Sequence, residues 1–149
     1  LNVASLDDIL NFSKNQPPYL HQLVEKFLPG PLTIILKAND KVPDWVNSDL
    51  TTVGFRMPSH PATLELIREF GPLIGPSANI SGQASGVTFK EILKDFDQDV
   101  LGVEDDAYLT GQDSTILDLS GSKARILRQG AVTREDILAK ISVIPFEEV

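Results

Sequence analysis

The sequence predicts an α/β or α+β fold, a sheet with helices packed on it. Three observations carry this. Helix-period and strand-period apolar segments alternate along most of the chain. A hairpin pattern follows near the C-terminus. The composition is that of a globular chain, with 42% apolar and 23% charged residues and few aromatics at 7%.

The elements follow in order. Leu1-Asn2-Val3-Ala4 is short and apolar, like the tail of a strand. Ser5, with Asp8 three residues on, caps a helix carrying Leu6, Ile9 and Leu10, and Pro17-Pro18 breaks it. Leu20, Leu23, Val24 and Phe27 recur at helical spacing until Pro29-Gly30-Pro31 stops the second helix. Leu32-Thr33-Ile34-Ile35-Leu36 is a β-branched run and reads as a buried strand. A loop through Asn39-Asp40 and Pro43 leads to a strand at Thr51-Thr52-Val53-Gly54-Phe55.

Pro61 suits the first helical position after His60, and Leu64, Leu66, Ile67 and Phe70 follow before Gly71 ends that helix. Pro72-Leu73-Ile74 reads as a short strand, and residues 75–87 as a polar, glycine-containing loop. Thr88 with Glu91 forms a capping box for a helix carrying Ile92, Leu93 and Phe96. Residues 114–119 and 124–128 are strands joined by Ser120-Gly121-Ser122-Lys123, and Thr133 with Asp136 caps a last helix through Ile137 and Leu138.

Length and charge narrow the function classes. A chain of 149 residues reads as a single domain, one able to bury roughly 70% of its unfolded surface. Mean hydropathy is −0.02, and no apolar run approaches a membrane span. With no Cys there is neither a disulfide nor a thiolate nucleophile nor a Cys-bound metal. Thirteen Lys and Arg against 21 Asp and Glu give a net charge of −8, which argues against a nucleic-acid stripe. No GxxxxGK[ST] loop, GxGxxG fingerprint, GxSxG elbow or HExxH motif occurs. Asp95, Asp97, Asp99, Glu104, Asp105 and Asp106 form an acidic stretch, read as a solvated face without metal-ligand spacing.

Three places could carry chemistry. Pro76-Ser77-Ala78-Asn79-Ile80-Ser81-Gly82 follows an apolar strand and reads either as an anion cradle or as a plain surface turn. Arg56 ends a strand and could hold a carboxylate or phosphate, or simply be solvated. If Leu119 pairs with Ala124 in the hairpin, Ser114 and Thr115 lie opposite Arg128 and Gln129, so that a hydroxyl and a guanidinium converge or stand apart as a strand start and an edge arginine.

Five fragments in order carry a resemblance: Phe27-Leu28-Pro29-Gly30-Pro31-Leu32-Thr33, Val53-Gly54-Phe55-Arg56-Met57-Pro58, Pro76-Ser77-Ala78-Asn79-Ile80-Ser81-Gly82, Ser114-Thr115-Ile116-Leu117-Asp118 and Ile126-Leu127-Arg128-Gln129-Gly130. Together they resemble the YrdC-like family of threonylcarbamoyl-AMP synthases, from about Leu1 to the last helix.

The resemblance implies a twisted, mostly parallel or mixed sheet flanked by helices around a concave pocket. It implies an enzyme that joins L-threonine, bicarbonate or CO2 and ATP into threonylcarbamoyl-adenylate and pyrophosphate, with Mg2+ accompanying ATP. A downstream tRNA threonylcarbamoyl transferase complex would consume the product in the cytoplasm, with tRNA or double-stranded RNA as weak partners. Residue by residue, it places Thr52, Ser77, Asn79 and Arg128 on ATP, and Arg56, Gly75 and Ser114 on L-threonine, with no protein-bound metal. It also implies a PTxTxYGL-type segment and a KxRP-type basic motif ahead of the position of Leu1. The expectation is therefore an N-terminally incomplete domain over residues 1–149, inactive by itself. The rival expectations are a carbamoyl-adenylate-forming relative and an RNA-binding module on the same fold.

Overall fold

In a computed structural model, residues 1–96 and 100–148 are described. Asp97 and Asp99 of the acidic stretch lie outside them. The chain divides into two compact units, one formed by Leu1–Ile74 with the segment from Gln112 onward, the other by Gly75–Gly111.

The larger unit is a five-stranded mixed sheet with helices against one face. Its helices are α1 (Leu6–Phe12), α2 (Leu20–Phe27), α3 (Pro61–Phe70) and α5 (Arg134–Lys140). Its strands are β1 (Ser13–Lys14), β2 (Leu32–Ala38), β3 (Thr52–Arg56), β4 (Thr115–Asp118) and β5 (Arg125–Arg128). The central strand β2 pairs antiparallel with β1 and β3 and parallel with β4, which pairs antiparallel with β5. Only β2–β4 is parallel among the described strand pairings, so the sheet is of the mixed kind.

Alternation along the strands separates the faces. Leu32, Ile34 and Leu36 of β2, Val53 and Phe55 of β3 and Leu117 of β4 are buried in one cluster with Ile9, Leu20, Leu23, Leu64 and Ile137 from the helices. Phe55 is fully buried, which removes a large ring from water and is worth about 2–3 kcal/mol. The opposite face of β3 carries Thr52, Gly54 and Arg56, all half-buried.

The caps form as the sequence predicts. The Ser5 hydroxyl accepts from the Asp8 amide, and Thr133 with Asp136 closes a capping box on α5. Pro61 occupies the first turn of α3, and Gly71 ends it at φ +87°, a conformation that suits glycine.

Several bounds and one register differ from the sequence reading. Helix α1 stops at Phe12, because Ser13 turns extended and pairs with Ala38. Strand β2 runs on to Ala38 for the same reason. The Pro72–Ile74 strand shrinks to one antiparallel bridge, Leu73 with Asn2. The hairpin keeps the expected register near its loop, Asp118 with Arg125 and Leu117 with Ile126, but a bulge then sets Arg128 opposite Ile116 rather than Thr115.

Residues 75–111 contain helix α4 (Phe89–Leu93), opened by the Thr88–Glu91 capping box. Phe96 falls beyond its end. No described residue of this unit is fully buried.

Candidate functional site

One row of paired residues crosses the sheet: Arg56 on β3 opposes Thr33 on β2, Thr33 opposes Ile116 on β4, and Ile116 opposes Arg128 on β5. Register therefore gathers two arginines and a threonine at one end of the open face. Ser114 lies one residue before β4 and joins them. Its buried hydroxyl meets Thr33 Oγ1 at 3.0 Å. Arg128 donates from Nε and Nη2 to the Ser114 carbonyl at 3.1 and 2.9 Å, and from Nη2 to Ser114 Oγ at 3.2 Å. The convergence expected of Ser114 and Arg128 is thus present, and the bulge that changes their register does not prevent it.

Arg56 completes the cluster. Its Nε is buried with no hydrogen-bond acceptor. Burial lowers the pKa of its guanidinium, the Arg128 charge lowers it further, and Asp113 pulls it back upward. Asp113 is 80% exposed and 4.0 Å from Arg128 Nη1, too solvated to neutralise two guanidinium groups. The arrangement can bind an anion, and the forked guanidinium donors suit a carboxylate or phosphate.

Two residues that sequence reasoning left without a role, Thr33 and Gly130, build this site together with Thr115, which the expected hairpin pairing set opposite Arg128. Thr33 braces the Ser114 hydroxyl. Thr115, fully buried, donates from Oγ1 to the Val132 carbonyl and accepts from the amides of Gly130 and Val132 at 3.0 and 3.1 Å. Gly130 permits that closeness, since a Cβ there would lie 2.3 Å from the Asp113 oxygen and 2.6 Å from Ser114 C. Thr33 and Gly130 each sit inside a recognised fragment. A glycine directly after Ile126-Leu127-Arg128-Gln129 was the one available signal.

The other candidates lie apart from this cluster or in the second unit. Thr52 shares the face of Arg56, but four residues of extended strand put them about 13 Å apart. Gly75 and Ser77 are exposed in residues 75–111. In that unit the Asn79 side-chain amide donates to the carbonyls of Ile80 and Gln83 at 3.0 and 3.2 Å, folding its own loop. Two open concavities, of about 350 Å³ beside Lys14, Asn39 and Asp44 and about 430 Å³ beside Phe89, Leu93 and Leu101, contain none of the candidate site residues.

Among the described residues no group of three or more His, Cys, Asp or Glu is placed to hold a metal ion. No helix among them is long and apolar enough to cross a membrane.

Comparison with known proteins gives the family and the fold. The family model described as "Telomere recombination", the Sua5/YciO/YrdC domain, matches residues 1–130. A Bacillus subtilis protein named threonylcarbamoyl-AMP synthase is 35% identical over 97% of this chain and 42% of its own length. A Pyrococcus abyssi protein of the same name is 33% identical over 92% of this chain and 41% of its own length. A crystal structure of P. abyssi Sua5 complexed with L-threonine superposes with a TM-score of 0.86 at 32% identity, covering 98% of this chain and 44% of that one. The chain thus spans less than half the length of these relatives. With the five fragments in place and the sheet superposing on a solved relative, the chain belongs to the Sua5/YciO/YrdC family.

Proposed function

We propose that the protein is a threonylcarbamoyl-AMP synthase. The observation that carries this is the Arg56 guanidinium, half-buried beside Arg128 with an unsatisfied Nε. The relatives' names and the L-threonine complex of the P. abyssi protein support the choice of substrate.

On this reading Arg56 pairs with the threonine carboxylate, Ser114 offers its hydroxyl beside it, and Gly75 contributes backbone. Arg128 neutralises ATP phosphate, while Thr52, Ser77 and Asn79 contact the nucleotide. The threonine amine adds CO2 and loses a proton, or takes its carbon from bicarbonate with release of water, to become a carbamate. A carbamate oxygen then attacks the α-phosphorus, the bond to the bridging oxygen breaks, and pyrophosphate leaves. That step needs alignment and charge stabilisation rather than a covalent nucleophile. On this reading Mg2+ accompanies the triphosphate of ATP and offsets charge on its oxygens.

The product would pass to a tRNA threonylcarbamoyl transferase complex in the cytoplasm. RNA is a weak partner at most, because Arg125 is engaged by Asp118 and Glu147, and Arg134 lies 5.0 Å over the Phe146 ring.

The test is pyrophosphate release from ATP by the complete gene product, with and without L-threonine and bicarbonate. Release that requires both, with threonylcarbamoyl-AMP found by mass spectrometry, is the expected outcome. ATP turnover indifferent to threonine would sink the reading and favour a carbamoyl-adenylate-forming relative.

A further inference from the structure

We propose that Gly54 is the clearance position of the ligand site, a glycine held so that a substrate anchored at Arg56 lies directly on the bare β3 backbone. This rests on the functional reading above in naming L-threonine as that substrate.

A glycine inside a strand needs a reason. It costs backbone entropy and packs nothing, and in strands it marks a bulge, a bend or a close approach. There is no bulge here, because Ile34–Phe55, Ile35–Gly54 and Leu36–Val53 pair in unbroken register. No left-handed conformation is involved, since the positive-φ glycines are Gly71, Gly82 and Gly111. Packing among the described residues does not demand it either. A Cβ on Gly54 would meet only Thr33 Cγ2 at 3.5 Å and Ile35 Cγ1 at 3.9 Å, ordinary van der Waals contacts. What remains is the approach of something outside the described chain.

The position says what approaches. Gly54 is two residues from Arg56 on the same face, about 7 Å along the strand. Arg56, Arg128 and Ser114 make the anion-holding end. A ligand held there by its anionic group and extending along β3 must pass over Gly54. The Leu1 nitrogen donates to the Gly54 carbonyl at 2.6 Å, a main-chain contact rather than one on the side-chain face. The ligand class that fits is a small carboxylate with a short side chain, lying flat. A methyl or isopropyl group at residue 54 would lift it away from Arg56.

The experiment compares Gly54→Ala and Gly54→Val in the complete gene product, by thermal denaturation and by calorimetry with L-threonine. Both variants should melt at or above the wild-type temperature, since each restricts the unfolded chain and suits a strand. L-threonine affinity should fall modestly in Gly54→Ala and about tenfold or more in Gly54→Val, the scale set by one or two misplaced methyl groups. A clear drop in melting temperature for Gly54→Ala would mean that the glycine serves the fold and would overturn the proposal. Unchanged affinity in Gly54→Val would overturn it while leaving the functional reading intact. Wild-type protein that binds no L-threonine would sink both.

Discussion

Arg56 holds a positive charge half out of water, its Nε without an acceptor and a second guanidinium nearby. Such a group costs stability unless something supplies the missing acceptor. Arg56→Met should keep its place in β3 and cost less than about 0.5 kcal/mol of stability, or raise it, because the cost of a desolvated cation disappears. The same change should weaken L-threonine binding by about 10–100-fold, the scale of a charge-assisted pair. Denaturant titration and calorimetry on one preparation check both halves. A large stability loss with intact binding would reverse the assignment. Asp118 is the opposite case. Burial pushes its carboxyl upward, but hydrogen bonds from Ser120 and the Arg125 contact outweigh this and hold it below the usual 3.8. A depressed folded pKa gives stability that is present above the unfolded value and is lost as pH falls through the folded one. Unfolding free energy should therefore decline as the buffer is acidified below about pH 4, and Asp118→Asn should flatten part of that decline.

Element by element, the structure shows what joins β4 to β5. The Thr115 hydroxyl takes two amides and gives its proton to a carbonyl of the segment after β5. Thr115→Val preserves shape and removes all three bonds, leaving the amides of Gly130 and Val132 without that acceptor. A cost of about 2–4 kcal/mol is expected in urea denaturation. Gly130→Ala should cost about 1–3 kcal/mol by overpacking, because its Cβ would press on backbone rather than on a movable side chain. It should also shift Arg128 off Ser114, so ATP affinity falls with stability. Arg128→Ala, by contrast, removes a side chain that is 46% exposed. It should weaken ATP binding without unfolding the protein, and unchanged affinity in calorimetry would remove Arg128 from the site.

Across the whole molecule the two compact units differ in what secures them. Residues 1–74 with the segment from 112 share one apolar cluster drawn from every strand of β2–β4 and four helices. The described residues of 75–111 include one helix, of five residues, and none of its residues is buried. Local opening follows burial and backbone protection. Amide exchange followed by mass spectrometry should therefore show residues 75–111 exchanging well before β2, β3 and β4. Equal protection in both units would contradict this.

Much of the molecule was legible in local sequence. Ser5, Thr88 and Thr133 announce their helices because a cap needs only three neighbouring residues. Leu32 to Leu36 announces a strand because β-branched runs fit a pleated sheet. The five fragments, in order, were enough to indicate the family. Tertiary structure alone decided the rest. Strand β1 exists only because the end of β2 reaches past it. The bulge before Arg128, the Thr33–Ser114 contact and the unsatisfied Arg56 Nε depend on pairings between segments up to 81 residues apart. Register is set by which strands meet, and one residue of slip changes every partner across the sheet. The sequence by itself thus determined most elements and, through the hairpin, offered the meeting of Ser114 with Arg128, whereas only cross-strand pairing decided that Arg56 joins them at one end of a face and that Thr52 stands about 13 Å away.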